Sequence, residues 1–327
     1  MNTDQPVIQT DGLTRRFGQL LAVDRLDLAV QRGEIFGLVG PDGAGKTTAI
    51  RMLAAIMDPS SGHATVAGFD IVRQPAAIKR RIGYMAQQFN LYGDLSVQEN
   101  LDFYADIFGV RGRQRRERSE RLLRFARLTE FTKRRAGALS GGMKKKLALA
   151  CALIHQPEIL YLDEPTTGVD PVARREFWDI LAELHGQGVT ILVSTPYMDE
   201  AERCSRVGLM YRGRLVMCAS PERIKQEING DLVELRPVAI AGVALAGIGL
   251  LRRADAATVH LLGVLETMAY GDLLHIFVDD AALRMPQIEA ALAAQGMAAA
   301  DMRLAQPRME EAFMSLIRRQ ESVERGA

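Results

Sequence analysis

Residues 40–48 read Gly40-Pro41-Asp42-Gly43-Ala44-Gly45-Lys46-Thr47-Thr48. The spacing is G-x-x-x-x-G-K-T, and each residue type in it answers to a polyphosphate. Gly40, Gly43 and Gly45 let the backbone wrap tightly enough for several N–H groups to point at phosphate oxygens. A helix opening near Gly45 turns its positive end toward the same anion. Lys46 brings a mobile positive charge for the β- and γ-phosphates, and the Thr47 hydroxyl, followed by Thr48, is a natural Mg²⁺ ligand. Asp42 is odd company for an anion and is expected at the loop tip, turned to solvent. The flanks supply the context the motif needs. Glu34 to Val39 is an apolar-rich strand of the kind buried on both faces. A helical pattern then runs from about Gly45 to Met57, closed by Asp58-Pro59-Ser60-Ser61-Gly62.

Outward from the loop, residues 7–30 alternate apolar and polar, as antiparallel edge strands do. Ser96 to Leu153 is mainly helical. Ile159 to Leu162 and Val189 to Ser194 are short apolar strands, separated by a helix around Arg174 to Leu184. Strands alternating with helices imply a doubly wound, mostly parallel sheet. Arg206 to Met217 reads as a hairpin turning at Tyr211-Arg212-Gly213-Arg214. Near residue 230 the composition shifts to Ala, Gly, Leu and Val. Strand-like pieces (Leu232 to Leu235, Thr258 to Leu262, Leu273 to Val278) there alternate with a helix over Pro286 to Ala294 and a last one over Met309 to Arg319. The expected fold class is α/β: a P-loop NTPase with a parallel core sheet, N-terminal antiparallel strands and a helical subdomain at about 88–156. It fills residues 1–229, and a small α+β accessory domain fills 230–327. Val238 to Leu251 is the longest apolar run; it is too short to span ~30 Å of hydrocarbon as a helix and reads as a packed helix of the small domain.

Two further motifs carry chemistry. Ile159-Leu160-Tyr161-Leu162-Asp163-Glu164-Pro165 delivers adjacent carboxylates at a strand end. Strand side chains alternate, so the two face different ways. Asp163 suits the Mg²⁺ shell and Glu164 suits a general base that polarises water. Leu139-Ser140-Gly141-Gly142-Met143 opens a helix that Ser140 can cap, while the two glycines leave backbone N–H groups open as a second anion site.

Together these motifs resemble the ATP-binding cassette (ABC) ATPases over about residues 7–229, in family order. The resemblance implies ATP and Mg²⁺ as ligands. It matches Phe17 to the aromatic that stacks on adenine, and Gln87 to the glutamine that touches Mg²⁺ and the water and reports to a membrane partner. It matches Gly168-Val169-Asp170 to the loop at the dimer seam. It implies a head-to-tail pair of cassettes in which Ser140, Gly141 and Gly142 close over the other subunit's phosphate loop. The stretch from Lys46 to Ser140 leaves no room for the long coiled coils of chromosome-maintenance ATPases.

One position departs from the family, which places a histidine after Ser194-Thr195 to contact the γ-phosphate. Here Pro196 stands there, and proline has neither a side-chain nor a backbone donor. Losing such a contributor costs about 10²–10⁴-fold in rate. Gly-Pro-Asp-Gly in the loop, the missing histidine and Met143 in place of the commoner glutamine resemble the N-terminal cassette of tandem drug-type (ABC-2) exporters. Pro307-Arg308-Met309-Glu310-Glu311-Ala312-Phe313 resembles the closing helix of that branch. Two readings follow. In the favoured one the chain pairs with a different cassette and its own site is weak; in the other it forms a homodimer in which Glu164 suffices.

Composition bounds the alternatives. The chain has 327 residues, 41 basic and 40 acidic, for a net charge of +1. The whole molecule therefore has no bias toward nucleic acid. Its three cysteines (Cys151, Cys204, Cys218) fit no metal pattern and are expected as buried or free thiols in a reducing cytosol. The N-terminus lacks a basic-then-apolar leader. The leading expectation is an exporter's ATPase subunit on the cytoplasmic face of the inner or plasma membrane. Integral membrane permease subunits would be its partners, docking near Phe89 to Asn100 through Leu91, Tyr92 and Leu95. A soluble ABC ATPase acting on ribosomes or DNA is the alternative, supported by eleven Arg and Lys against three Glu in residues 111–135; no specific nucleic acid is expected. A non-hydrolysing, ATP-dependent regulator is a third reading. The transported molecule is not written in this chain.

Overall fold

The structure, a computed structural model, describes residues 5–88, 91–228, 230–240 and 247–326. The chain divides into two compact units, Met1–Pro221 and Glu222–Ala327.

The first unit opens with β1 (Ile8–Phe17), β2 (Leu20–Leu26) and β3 (Ala29–Val30). β4 (Ile35–Val39) then starts a second sheet, and α1 (Lys46–Leu53) follows the phosphate-type loop. β5 (Ser61–Val66) and β6 (Phe69–Asp70) return to the first sheet, which is antiparallel in the order β2-β1-β5-β6 with β3 beside β1. After α2 (Pro75–Lys79) and β7 (Ile82–Met85) come the helices α3 (Val97–Ile107), α4 (Gly112–Phe125) and α5 (Gly141–Leu153). The core resumes with β8 (Ile159–Asp163), α6 (Pro171–Gly186), β9 (Thr190–Thr195), α7 (Met198–Ala201), β10 (Arg206–Tyr211) and β11 (Arg214–Ala219). The second sheet runs β11-β10-β4-β9-β8-β7, parallel from β10 to β7, with β11 antiparallel at its edge.

β4, β8 and β9 are buried at every residue, which is why Ile35 to Val39, Ile159 to Leu162 and Ile191 to Val193 do not alternate with polar residues. α1 presents Ala49, Ile50, Met52 and Leu53 to one core shared with Ile8 and Leu13 of β1, Phe36 and Leu38 of β4, and Ile159 and Tyr161 of β8. The functional loop is therefore anchored at both ends in the core. Helix starts follow their caps. Asp170 accepts from the N–H groups of Val172 and Ala173, with Pro171 at the first helical position. Ser96 and Glu99 form a reciprocal capping box at α3.

The second unit contains α8 (Pro221–Gln226), which begins at the boundary, β12 (Asp231–Ala239), α9 (Ile248–Thr258), β13 (Val264–Tyr270), β14 (Leu273–Val278), α10 (Ala281–Ala294), β15 (Met297–Ala305) and α11 (Met309–Gly326). Its antiparallel sheet, ordered β13-β14-β12-β15, joined as βαββαβ, has the split βαβ, ferredoxin-like topology. Val233, Leu235, Ile276 and Val278 form its core with Leu250, Leu251 and Ala254 of α9 and Ile288 and Leu292 of α10.

Several expectations need correction. α1 ends at Leu53, not Met57: Ala55 is left-handed at φ 53°, and the N–H groups of Ile56 and Met57 both return to the Arg51 carbonyl. The run Val238 to Leu251 is not one helix. Val238 and Ala239 close β12, Ile248 to Leu251 open α9, and 241–246 lie outside the described residues. Thr258 to Leu262 is no strand. Thr258 ends α9 with its hydroxyl donated to the Ala254 carbonyl, and the strand begins at Val264. α10 starts at Ala281, capped by Asp280, so Pro286 falls inside it.

Candidate nucleotide site

β4 delivers the loop, and two close approaches dictate its glycines. A Cβ on Gly40 would lie 2.2 Å from the Met210 carbonyl oxygen. Gly45 has φ 101°, and a Cβ there would lie 2.3 Å from the Ala22 carbonyl oxygen. No side chain fits either place. Asp42 is exposed at the tip, as expected.

Behind the loop the side chains converge. Lys46 is 3% exposed and donates to the carbonyls of Gly40 (2.8 Å) and Pro41 (2.9 Å). Its Nζ also lies 3.3 Å from Oε1 of Glu164. Gln87 Nε2 donates to Glu164 Oε2 at 2.9 Å. The Thr47 hydroxyl donates to Asp163 Oδ1 at 2.9 Å, as does the Ser194 hydroxyl. Glu164 is left-handed at φ 48°, held there by its N–H to Ser194 Oγ (3.0 Å). The direction of Glu164 is thus set by this turn rather than by strand alternation. A non-glycine residue kept in that region stores backbone strain.

Asp163 is fully buried, and its Oδ2 has no hydrogen-bond partner. A buried bare carboxylate oxygen beside a hydroxyl is a hard-oxygen donor set that fits Mg²⁺, which takes only one or two protein ligands and completes its shell with water and phosphate oxygens. Among the described residues no cluster of three or more His, Cys, Asp or Glu could hold a metal. Phe17, 42% exposed, lies under the Arg15 guanidinium at 4.6 Å and lines a cleft of about 430 Å³ with Gly43, Gly45, Lys46, Thr47, Thr48 and Glu164. A larger groove of about 710 Å³ between α4, α5 and α6 holds exposed arginines over apolar residues but none of these groups.

Not every sequence-predicted residue lines that cleft. Ser140, Gly141 and Gly142 open α5, where Ser140 Oγ accepts from the Met143 N–H (3.3 Å); Ser140 and Gly141 are exposed. From the same helix, buried Lys145 donates to the Gln87 carbonyl at 3.1 Å. Burial pushes the Lys145 ammonium below its ordinary value, against the pull of Glu164 and Asp163. Pro196 follows β9 and is half-buried. Of the docking segment, Tyr92 is 49% exposed and Leu91 and Leu95 are half-buried, while Phe89 and Asn90 lie outside the described residues. Sequence reasoning passed over Ser194, which holds both carboxylate residues. It also passed over Arg212, which reaches the cleft from the β10–β11 turn. Both stood in quoted stretches, yet only the fold gives them a partner.

Residues 23–167 match the ABC transporter family. The chain is 35% identical over 312 residues to the daunorubicin resistance ATP-binding protein DrrA3 of Streptomyces coeruleorubidus, covering 94% of this chain and 95% of that one. The chain belongs to the ABC transporter family. This cassette is also 44% identical over 227 residues to YbhF, a probable multidrug ABC transporter ATP-binding protein of Escherichia coli (strain K12). That match takes in 69% of the cassette chain but only 39% of the relative's length. Among solved structures, cbiO1 from Clostridium perfringens, part of an ABC transporter complex, superposes with a TM-score of 0.63 at 26% identity, covering 68% of this chain and 92% of that one. No helix among the described residues is long and apolar enough to cross a membrane.

Proposed function

We propose that this cassette binds and hydrolyses ATP to power export by separate membrane permease subunits, seated against them at the cytoplasmic face. The observation that carries the reading is the hydrogen-bonded convergence of Lys46, Thr47, Asp163, Glu164 and Gln87 behind one glycine loop. Lys46 and the loop N–H groups hold the β- and γ-phosphates, Phe17 stacks on adenine, and Glu164, oriented by Gln87, polarises the attacking water. Thr47 and Asp163, with Gln87 nearby, would hold Mg²⁺, whose charge offsets that developing on the phosphates. Export as the purpose is supported by the relatives, one for daunorubicin resistance and others for Nod factor export. Part of the basic stretch 111–135 is neutralised, because Arg113, Arg115 and Arg127 are paired with Glu117, Asp102, Asp106 and Glu176, which weakens the case for nucleic-acid binding.

Pro196 favours pairing with a different cassette. Exposed Ser140 and Gly141 would complete the partner's site, while this chain's own site turns over slowly. Single-turnover hydrolysis by the purified chain tests this. Wild type is expected to be slow, and Pro196→His is expected to raise the rate by about 10²-fold or more. Brisk hydrolysis by wild type alone, abolished by Glu164→Gln, would sink the weak-site reading. Failure to bind ATP would sink the whole proposal.

A further inference from the structure

The carboxylate of Glu200, on α7, is 1% exposed, and its two oxygens go to two different loops. Thr166 Oγ1 donates to Oε1 at 2.7 Å, and Thr195 Oγ1 donates to Oε2 at 2.6 Å. Thr166 sits two residues beyond Glu164, in a tight turn whose Thr167 N–H returns to the Glu164 carbonyl. Thr195 ends β9 directly before Pro196, and its hydroxyl also accepts from the Tyr197 N–H at 3.1 Å. One buried carboxylate thus spans the strand ends that carry Glu164 and Pro196, the position where the family places its histidine. Burial of a carboxylate is tolerated only with such partners, so neither loop can shift without stranding a polar group.

A third element reaches the same carboxylate. Arg174, one turn into α6, has Nε 3.7 Å from Glu200 Oε1, Nη2 2.8 Å from Asp199 Oδ2, and its guanidinium over the Tyr197 ring at 4.9 Å. The Arg174 N–H closes on the Asp170 carbonyl at 2.9 Å, so Arg174 moves with the helix start that follows Gly168-Val169-Asp170.

We propose that Glu200 is a positioning residue for hydrolysis. It sets the Glu164 loop against the end of β9 and takes its own setting from the first turn of α6 through Arg174. The proposal rests on the reading of Glu164 as the general base. Pro196 has no donor to offer a phosphate; the two strand ends are held from behind, by Glu200.

The test uses the full chain with Glu200→Gln, Thr166→Val and Arg174→Ala, each checked for folding by thermal melting. Three quantities are measured: affinity for a fluorescent ATP analogue, single-turnover hydrolysis, and hydrogen exchange in the peptides covering 40–48 and 164–170. Affinity is expected to stay within about twofold of wild type while turnover falls about 10- to 100-fold, the signature of lost alignment rather than lost binding. Exchange is expected to rise in 164–170 and stay unchanged in 40–48. Thr166→Val, which removes one donor at constant shape, serves if Glu200→Gln does not fold. A folded variant with wild-type turnover, or with unchanged exchange in 164–170, overturns the proposal. If wild-type turnover is too slow to compare, the same variants are measured in the Pro196→His background; turnover there that survives Glu164→Gln sinks the general-base reading, and the exchange comparison then decides by itself whether Glu200 positions the loop.

Discussion

Glu164→Gln should tighten nucleotide binding while it abolishes hydrolysis. In the structure the Lys46 ammonium is 3.3 Å from the Glu164 carboxylate, with side chains 3% and 7% exposed, so salt screens the pair little. At an effective dielectric of about 20, two unit charges at that separation attract by about 5 kcal/mol before solvation is counted. The net difference is smaller, because the glutamine oxygen still accepts from Lys46. A hydrogen bond to a charged group contributes about 1.5–3 kcal/mol and a neutral one about 0.5–1.5. Roughly 1.5 kcal/mol is therefore freed when the carboxylate becomes an amide, and it becomes available to incoming phosphates, a gain of about tenfold in affinity. The assay is titration of a non-hydrolysable ATP analogue at protein concentrations too low for dimerisation, with ADP as a control that should gain less. Hydrolysis should fall by at least about 10²-fold. If the variant binds the analogue no tighter than wild type, Lys46 is not restrained by Glu164 and the argument is wrong.

Gly45→Ala forces a Cβ against the Ala22 carbonyl at a φ of 101°, and should destabilise the fold by about 1–3 kcal/mol; an unchanged Tm would contradict the packing described. Tyr161→Phe removes a fully buried hydroxyl that has no partner, so unfolding stability should stay equal or rise by up to about 2 kcal/mol. A loss above about 1 kcal/mol in urea titration would show that the hydroxyl is engaged. For Glu311, burial works against the charge, but hydrogen bonds from His275 and from the Arg308 N–H outweigh it and hold the carboxyl below its ordinary 4.5. Its stabilisation is therefore full above about pH 4.5 and is lost as pH falls through the lower folded value. The gap in urea midpoint between wild type and Glu311→Gln should be wide at neutral pH and close in acid; a gap independent of pH would refute the assignment.

What could be read from sequence was whatever the local pattern determines. Ile35 to Val39 and Ile159 to Leu162 carry no charged side chain because both faces of the central sheet are covered, and a run of that kind admits few other readings. The glycine loop is similarly local: its residues answer to a ligand through the backbone that they themselves build. Val238 to Leu251 misled because small apolar residues carry no period, so a strand end and a helix start merge into one run. Thr258 to Leu262 misled because a β-branched residue at a helix end bonds back to its own helix. Glu200 was invisible for a different reason. Thr195 is five residues away, but Thr166 meets it only through the pairing of β8 with β9, and no spacing along the chain announces that one carboxylate joins the two. Arg212 likewise is a turn residue until the hairpin is laid beside the loop.

The place of β4 in its sheet has a consequence for how the protein is made. β4 is laid down early in synthesis, yet its two neighbours are β9 and β10. Gly40 donates to the Thr195 carbonyl, Ala44 accepts from the Gly213 N–H, and Gly40 is hemmed in by Met210. A nascent chain that has not yet emerged past Thr190 therefore carries the loop on a strand with both edges bare, the condition in which strands mispair and aggregate. Pairings this distant along the chain also close slowly. Nucleotide affinity is thus a late acquisition in the life of each molecule, arriving only when the segment around residues 190–213 closes over a loop made long before.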